Sequence, residues 1–168
     1  TYTLNRGGLN PLADIVATYR LSKKIKTTNP DLVFSYFSKP VIFGTIAAKL
    51  AKVPKVIGML EGLGYTFTEQ PEGLSKKTQL IKKVQVLLYK MALPQLDKLI
   101  FLNPDDPVDL IEKYTIQVKD IEILGGIGLN LKDYPYQPVL SIQKPINFLF
   151  IGRLLKEKGI HDFIAAAK

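Results

Sequence analysis

Cysteine is absent from the 168 residues, and histidine occurs once, at His161. The first absence excludes a disulfide framework and a thiolate metal site, and the second excludes a histidine metal cluster. A chain without cysteine is compatible with the cytosol. No run approaches the roughly 18 unbroken apolar residues that a membrane-crossing helix needs. The opening TYTLNRGGLNP has neither a starting methionine nor the basic-then-apolar pattern of a secretory signal, and it reads as a cut edge. Internal repeats and low-complexity segments are also lacking.

Acidic residues are the scarce charge. Fifteen Asp and Glu face 23 Lys and Arg, for a net charge of +8. Such a balance favours acidic partners, whether phosphates, anionic lipid or nucleic acid, without choosing among them. Against nucleic acid, no motif interleaves aromatic and basic residues. An apolar fraction of 46% is ample for a core. The length suits one domain, or one and a piece of another.

Along the chain, elements alternate. Asn10-Pro11 opens an expected helix in which Leu12, Ile15, Val16, Tyr19 and Ile25 recur at helical spacing, with Lys23, Lys24 and Lys26 at the end where cations suit the dipole. A turn at Asn29-Pro30-Asp31 leads to a strand over Leu32–Phe37. A helix from Lys39-Pro40 runs through Ile42, Ile46, Ala47 and Leu50 to a break at Val53-Pro54, and a second strand covers Lys55–Leu60. Asp97–Leu102 and Ile121–Leu124 read as two more strands. Between them Asn103-Pro104-Asp105-Asp106 is expected to start a helix through Val108, Leu110 and Ile111. The paired carboxylates are read as helix capping rather than metal or acid–base chemistry. Strand–helix–strand order predicts an α/β fold, a Rossmann-like parallel sheet with flanking helices.

In an open parallel sheet, ligands meet the carboxyl ends of strands. Two glycine-rich turns follow strands here. Glu61-Gly62-Leu63-Gly64-Tyr65 succeeds the second strand, and Gly125-Gly126-Ile127-Gly128 succeeds the fourth. Glu61, Gly62 and Gly64 are therefore candidate cleft-lining residues, the competing reading being a tight turn in which glycine supplies positive φ. Gly126 and Gly128 make a lone G-x-G, a weak signal with no clear helix opening after it, and they join the cleft-lining candidates only through the resemblance of their segment to a known family. The polar loop Gly73–Lys77, with residues 66–72, makes a long connection, a length often functional or mobile.

A third helix is expected over Leu74–Leu93. At about 100° per residue, Leu80, Val84, Leu87, Leu88 and Met91 share one arc, while Gln79, Lys82, Lys83 and Lys90 share another. Two readings stand side by side. One is a surface helix with its apolar arc in the core. The other is a basic face of Lys82, Lys83 and Lys90 resting on an anionic membrane surface.

The last stretch, PINFLFIGRLLKEKGIHDFIAAAK, carries the most chemistry. Ile146, Phe148, Phe150 and Ile151 read as a buried strand ended by Gly152, and Ile160, Phe163, Ile164 and Ala167 as an opening helix. Between them lie Arg153, Lys156 and Lys158, ahead of unpaired helix N–H groups that favour an anion. A solvated basic turn is the bland alternative.

The run GRLLKEKG followed by an apolar helix resembles the first strand–turn–helix of the C-terminal domain in GT-B glycosyltransferases, specifically the retaining glycosyltransferase family 4. NPDLVFSYFSKPVIFGTIAAKLAKVPKVIGML, DKLIFLNPDD and GGIGLNLKDY resemble further segments of that family, in the same order. The E-G-L-G-Y-x-F run is similar to one in some sugar-transferring branches, with Glu61 where many members have histidine. Gly126, Gly128, Asn130 and Tyr134 fall on a G-S-G-V-D-x-x-x-F pattern from which Ile127 departs. Glu61 and Glu69 have the spacing of the family's E-x7-E motif, but that motif belongs beyond Lys168, so the match is rejected.

The resemblance implies a two-domain GT-B architecture. Residues 1–130 would be most of the N-terminal, acceptor-side domain without its first strand, 131–144 a linker, and 145–168 the start of the nucleotide-sugar-binding domain. It implies that Arg153 and Lys158 bind the donor diphosphate. The partners implied are a nucleotide-diphosphate sugar and a glycan or lipid-linked acceptor, with no metal or other cofactor, in a cytoplasmic enzyme, peripheral on the inner face of the cell membrane. Alternatives left open are a nucleotide-sugar epimerase of the same fold and a noncatalytic phosphate- or nucleic-acid-binding domain.

Overall fold

A computed structural model describes residues 11–68, 73–138, 146–154 and 158–167, in two compact units, Thr1–Ile127 and Gly128–Lys168. In the first unit, α1 (Pro11–Thr28) precedes β1 (Leu32–Tyr36), α2 (Ser38–Leu50), β2 (Lys55–Leu60) and α3 (Lys76–Ala92). A single 3-10 turn at Leu93–Gln95 then leads to β3 (Lys98–Phe101), to α4 (Asp105–Pro107), which continues as a π-helical turn over Val108–Glu112, and to β4 (Ile121–Ile123). The four strands pair in parallel in the order β1-β2-β3-β4. The α/β parallel sheet with flanking helices is thus present.

The core forms where α2 sits on the sheet. Val41, Ile42, Thr45, Ala47 and Ala48 of α2 are buried, and the helix touches β1, β2, α1 and α3, as expected of a helix apolar almost all round. Beneath it, Val56, Gly58 and Leu60 of β2 alternate inward, in register with Leu99 and Phe101 of β3. Two glycines set the approach. A Cβ on Gly44 would stand 2.6 Å from Ser35 Oγ, and one on Gly58 would stand 2.9 Å from Leu96 Cδ1 and 3.1 Å from Val41 Cγ1. On the opposite face of the sheet, Phe34 and Tyr36 are exposed and Ile57, Met59 and Ile100 half-buried. These strands read apolar on both faces, the pattern of a parallel sheet covered twice, and α2 is seated on the face of Ser35 and Gly58.

The core face expected on α3 is corrected, and on α1 only Ile25 of the periodic apolar residues is buried. On α1 the buried positions are Thr18, Ser22 and Ile25, whereas Leu12, Ile15, Val16 and Tyr19 are exposed. On α3 the buried positions are Val86, Tyr89 and Ala92; Leu80, Val84, Leu87 and Met91 face outward. The apolar arc expected on α3 leaves out Val86, Tyr89 and Ala92, which lie on another side of the helix. The Tyr89 ring decides, because its hydroxyl finds hydrogen-bond partners in Ser38 and Gln85 and so lets the whole side chain enter the core.

In the second unit, the expected strand over Ile146–Ile151 is not formed. Ile146, Phe148, Leu149 and Ile151 are exposed along an irregular segment. A parallel strand needs a neighbour to complete its ladder, and the described residues of this unit include no other strand. The helix does form, as α5 (Ile160–Ala166), with the Phe163 ring 5.5 Å from that of Phe150. The stretches 69–72, 139–145 and 155–157 lie outside the described residues, and with them Glu69, Lys144, Lys156 and much of the expected linker.

Gly58→Ala is expected to destabilise the protein by about 1–3 kcal/mol, since Val41 is β-branched and Leu96 fully buried, leaving little room to give. The urea midpoint of the purified variant checks this.

Candidate functional site

Parallel register aligns the carboxyl ends of the strands. Tyr36 pairs with Met59, Leu60 with Phe101, and Phe101 with Ile123. One edge of the sheet therefore carries Phe37 and Ser38 after β1, Glu61–Gly64 after β2, Asn103 after β3 and Gly125–Gly126 after β4. Leu124 extends the last ladder by one bond, its N–H reaching the Phe101 carbonyl at 2.9 Å.

Gly62, Gly64 and Gly125 take φ of 154°, 80° and 81°, values that favour glycine. Side chains added at Gly62, Gly64 or Gly126 would meet no atom within 4 Å, so the loops border open space. Glu61 is half-buried at the base of the β2 loop. Phe37 adopts φ 69° while its N–H donates to the Met59 carbonyl at 3.1 Å. A phenylalanine held in that region is strained, and such strain concentrates at functional edges.

Under the β2 loop runs a chain of polar contacts that sequence reading missed. The Thr66 hydroxyl donates to Gln85 Oε1 at 2.8 Å, and Gln85 Nε2 donates to the Tyr89 hydroxyl at 3.4 Å. Ser38, the first residue of α2, also hydrogen-bonds Tyr89. Burial pushes the Tyr89 phenol up, and the nearby Asp106 carboxylate adds to the rise. Beside it, Asn103 Oδ1 accepts the N–H groups of Asp105 and Asp106 at 3.0 and 2.8 Å, and Asn103 Nδ2 donates to Asp106 Oδ2 at 2.9 Å. Helix capping, done here by Asn103, thus explains this turn. Asp106 is itself held above the usual carboxylate range, mainly by burial. The next residue of the loop, Phe67, packs edge-on against Tyr114 and carries the Lys82 ammonium 4.7 Å above its ring. No sequence spacing signals this network, because its members come from four separate elements.

The opposite, amino edge is built differently. Asp97, just before β3, accepts the Val56 N–H at 2.8 Å, Lys119 Nζ at 2.9 Å and Lys49 Nζ at 3.4 Å. An open depression of about 480 Å³ lies near it, lined by Pro94, Ile111, Ile116, Gln117, Val118, Lys119 and Ile121. It does not include the glycine loops.

In the second unit, Gly128 has φ 79°, and Arg153 and Lys158 are both exposed. Gly159, at φ 75°, turns the chain into α5 and accepts the Phe163 N–H at 3.0 Å. Among the described residues, no group of three or more His, Asp or Glu side chains converges on a point where a metal ion would be held.

Residues 4–103 match the family described as Glycosyl transferase 4-like. The chain is similar to the N,N'-diacetylbacillosaminyl-diphospho-undecaprenol alpha-1,3-N-acetylgalactosaminyltransferase of Campylobacter jejuni, at 28% identity over 177 residues, covering 99% of this chain and 46% of that protein. It is also similar to the UDP-Gal:alpha-D-GlcNAc-diphosphoundecaprenol alpha-1,3-galactosyltransferase of Escherichia coli, at 29% identity over 168 residues, covering 95% of this chain and 41% of that one. The chain spans less than half the length of these curated relatives.

The Asp97 carboxyl is lowered to about 2, first by Lys119, then by the Val56 N–H and Lys49. A depressed folded-state pKa contributes stability above the ordinary carboxylate range of about 4, and that contribution is lost as pH falls toward 2. Asp97→Asn should therefore be less stable than the parent at pH 6 and converge with it near pH 2. Urea midpoints across that range test the sign.

Proposed function

The chain belongs to the glycosyl transferase 4-like family, and from that premise we propose that it forms part of an enzyme moving a hexosyl or N-acetylhexosaminyl group from a nucleotide-diphosphate sugar to a lipid-linked glycan, with retention of configuration. One observation carries the reading. Both relatives align over nearly the whole chain, and both act, by name, on glycans linked to undecaprenyl diphosphate; one takes its sugar from UDP. The setting is polysaccharide biosynthesis at the cytoplasmic face of a membrane.

In this reading the glycine loops after β2 and β4, with Glu61, Gly62, Gly64, Gly126 and Gly128, line the acceptor side of the cleft. Arg153 and Lys158 meet the donor diphosphate. Their work is to neutralise the charge that builds on the departing nucleoside diphosphate as the bond to the anomeric carbon breaks. Arginine supplies a planar fork that lysine cannot copy, whereas Lys158 serves as a point charge.

Both side chains are exposed, so neither substitution should disturb folding by more than about 0.5 kcal/mol. A charge-assisted hydrogen bond is worth about 1.5–3 kcal/mol. Lys158→Ala in the full-length enzyme should accordingly lower kcat/KM by roughly ten- to a hundredfold or more. Arg153→Lys should also be impaired, and Lys158→Arg should retain more activity than Lys158→Ala. Near-parental turnover in the double Arg153→Ala, Lys158→Ala variant would end the diphosphate assignment. Lost turnover with unchanged melting supports it.

A further inference from the structure

We propose that the outward face of α3 is a docking surface for an anionic lipid bilayer. Leu80, Val84, Leu87 and Met91 are 64%, 48%, 59% and 55% exposed. At helical spacing they fall within about 60° of one another, on the side directly away from Val86, Tyr89 and Ala92. A surface helix normally shows water its polar face. This one shows water a row of four large apolar side chains while a second, separate face fills the core.

Charge indicates what covers the row. The sequence of α3, KKTQLIKKVQVLLYKMA, holds five lysines and no acidic residue. Lys76, Lys83 and Lys90 run along one shoulder of the apolar row and Lys77 stands on the other; all four are exposed. None of the ion pairs among the described residues involves them. Lys82 stands apart, turned inward over Phe67, so the basic face expected from spacing divides. An apolar row with cationic shoulders is the pattern of a helix lying in the plane of a bilayer, its leucines below the headgroups and its lysines among anionic ones.

A second copy of the same helix fits poorly, since pairing would bring lysine against lysine. A membrane span is also excluded for this element. It is 17 residues long, and no helix among the described residues is long and apolar enough to cross a bilayer. The proposal names the surface at which the lipid-linked acceptor reading would operate, but it rests on the exposure and charge of α3. Its test reads vesicle binding rather than turnover, so the two stand or fall separately.

The test is cosedimentation of the full-length protein with vesicles of phosphatidylcholine alone and of phosphatidylcholine mixed with phosphatidylglycerol. The parent should bind the anionic vesicles and bind them less as salt rises. Leu80→Gln with Leu87→Gln should weaken that binding by more than about tenfold, with melting unchanged. Lys83→Gln with Lys90→Gln should weaken it by about fivefold per lysine, and should not alter binding to phosphatidylcholine. The proposal is overturned by a parent that ignores anionic vesicles, or by either pair binding as the parent does. It is equally overturned by a steep loss of melting temperature in the leucine pair, which would mean the row is buried in the intact protein. Self-association that the leucine pair abolishes while lipid binding persists would assign the row to a second copy.

Discussion

The close seat of α2 on the sheet is the constraint from which the rest follows. Gly44 and Gly58 leave no room for a side chain between helix and strands, so β1, β2 and α2 pack as a nearly incompressible layer. That layer fixes Ser38, and through Ser38 it reaches Tyr89 and the chain of contacts that ends at Thr66. The loop carrying Glu61 and its glycines is thus held from below by the core rather than by its own few hydrogen bonds. Thr45 records how tightly the layer closes, because its hydroxyl is buried there with no hydrogen-bond partner among the described residues.

The two edges of the sheet divide the labour. At the amino edge, Asp97 gathers Lys49 and Lys119, and Lys98 gathers Asp120 and Glu122, so charge is spent on tying strands together. At the carboxyl edge the glycine loops open onto free space, with a strained Phe37 among them. Parallel sheets place ligand sites at that end because the loops there diverge from aligned strands.

The four strands of the sheet were legible in the sequence almost residue by residue. Leu32–Tyr36 and Lys55–Leu60 are dense in apolar residues and bounded by proline and glycine turns. Helix orientation was less legible. The apolar series read on α1 and α3 did not include Thr18 and Ser22 or Val86, Tyr89 and Ala92, and packing, decided on α3 by Tyr89, puts those positions inside. The candidate loops were readable from glycine following strands. The Thr66–Gln85–Tyr89–Ser38 chain was not, since it depends on elements brought together by the fold. Arg153 and Lys158 were readable as basic residues ahead of a helix start, the resemblance supplied their diphosphate role, and the strand expected before them has no partner among the described residues of its unit.

The central claim is sugar transfer to a lipid-linked acceptor, and the most direct measurement supplies the full-length protein with a UDP-sugar and an undecaprenyl diphosphate-linked glycan. The account predicts stoichiometric release of UDP and a product extended by one sugar whose new linkage keeps the donor's anomeric configuration. Interconversion of the nucleotide sugar with no acceptor consumed, or no transfer by well-folded protein from any nucleotide sugar tried, would contradict it.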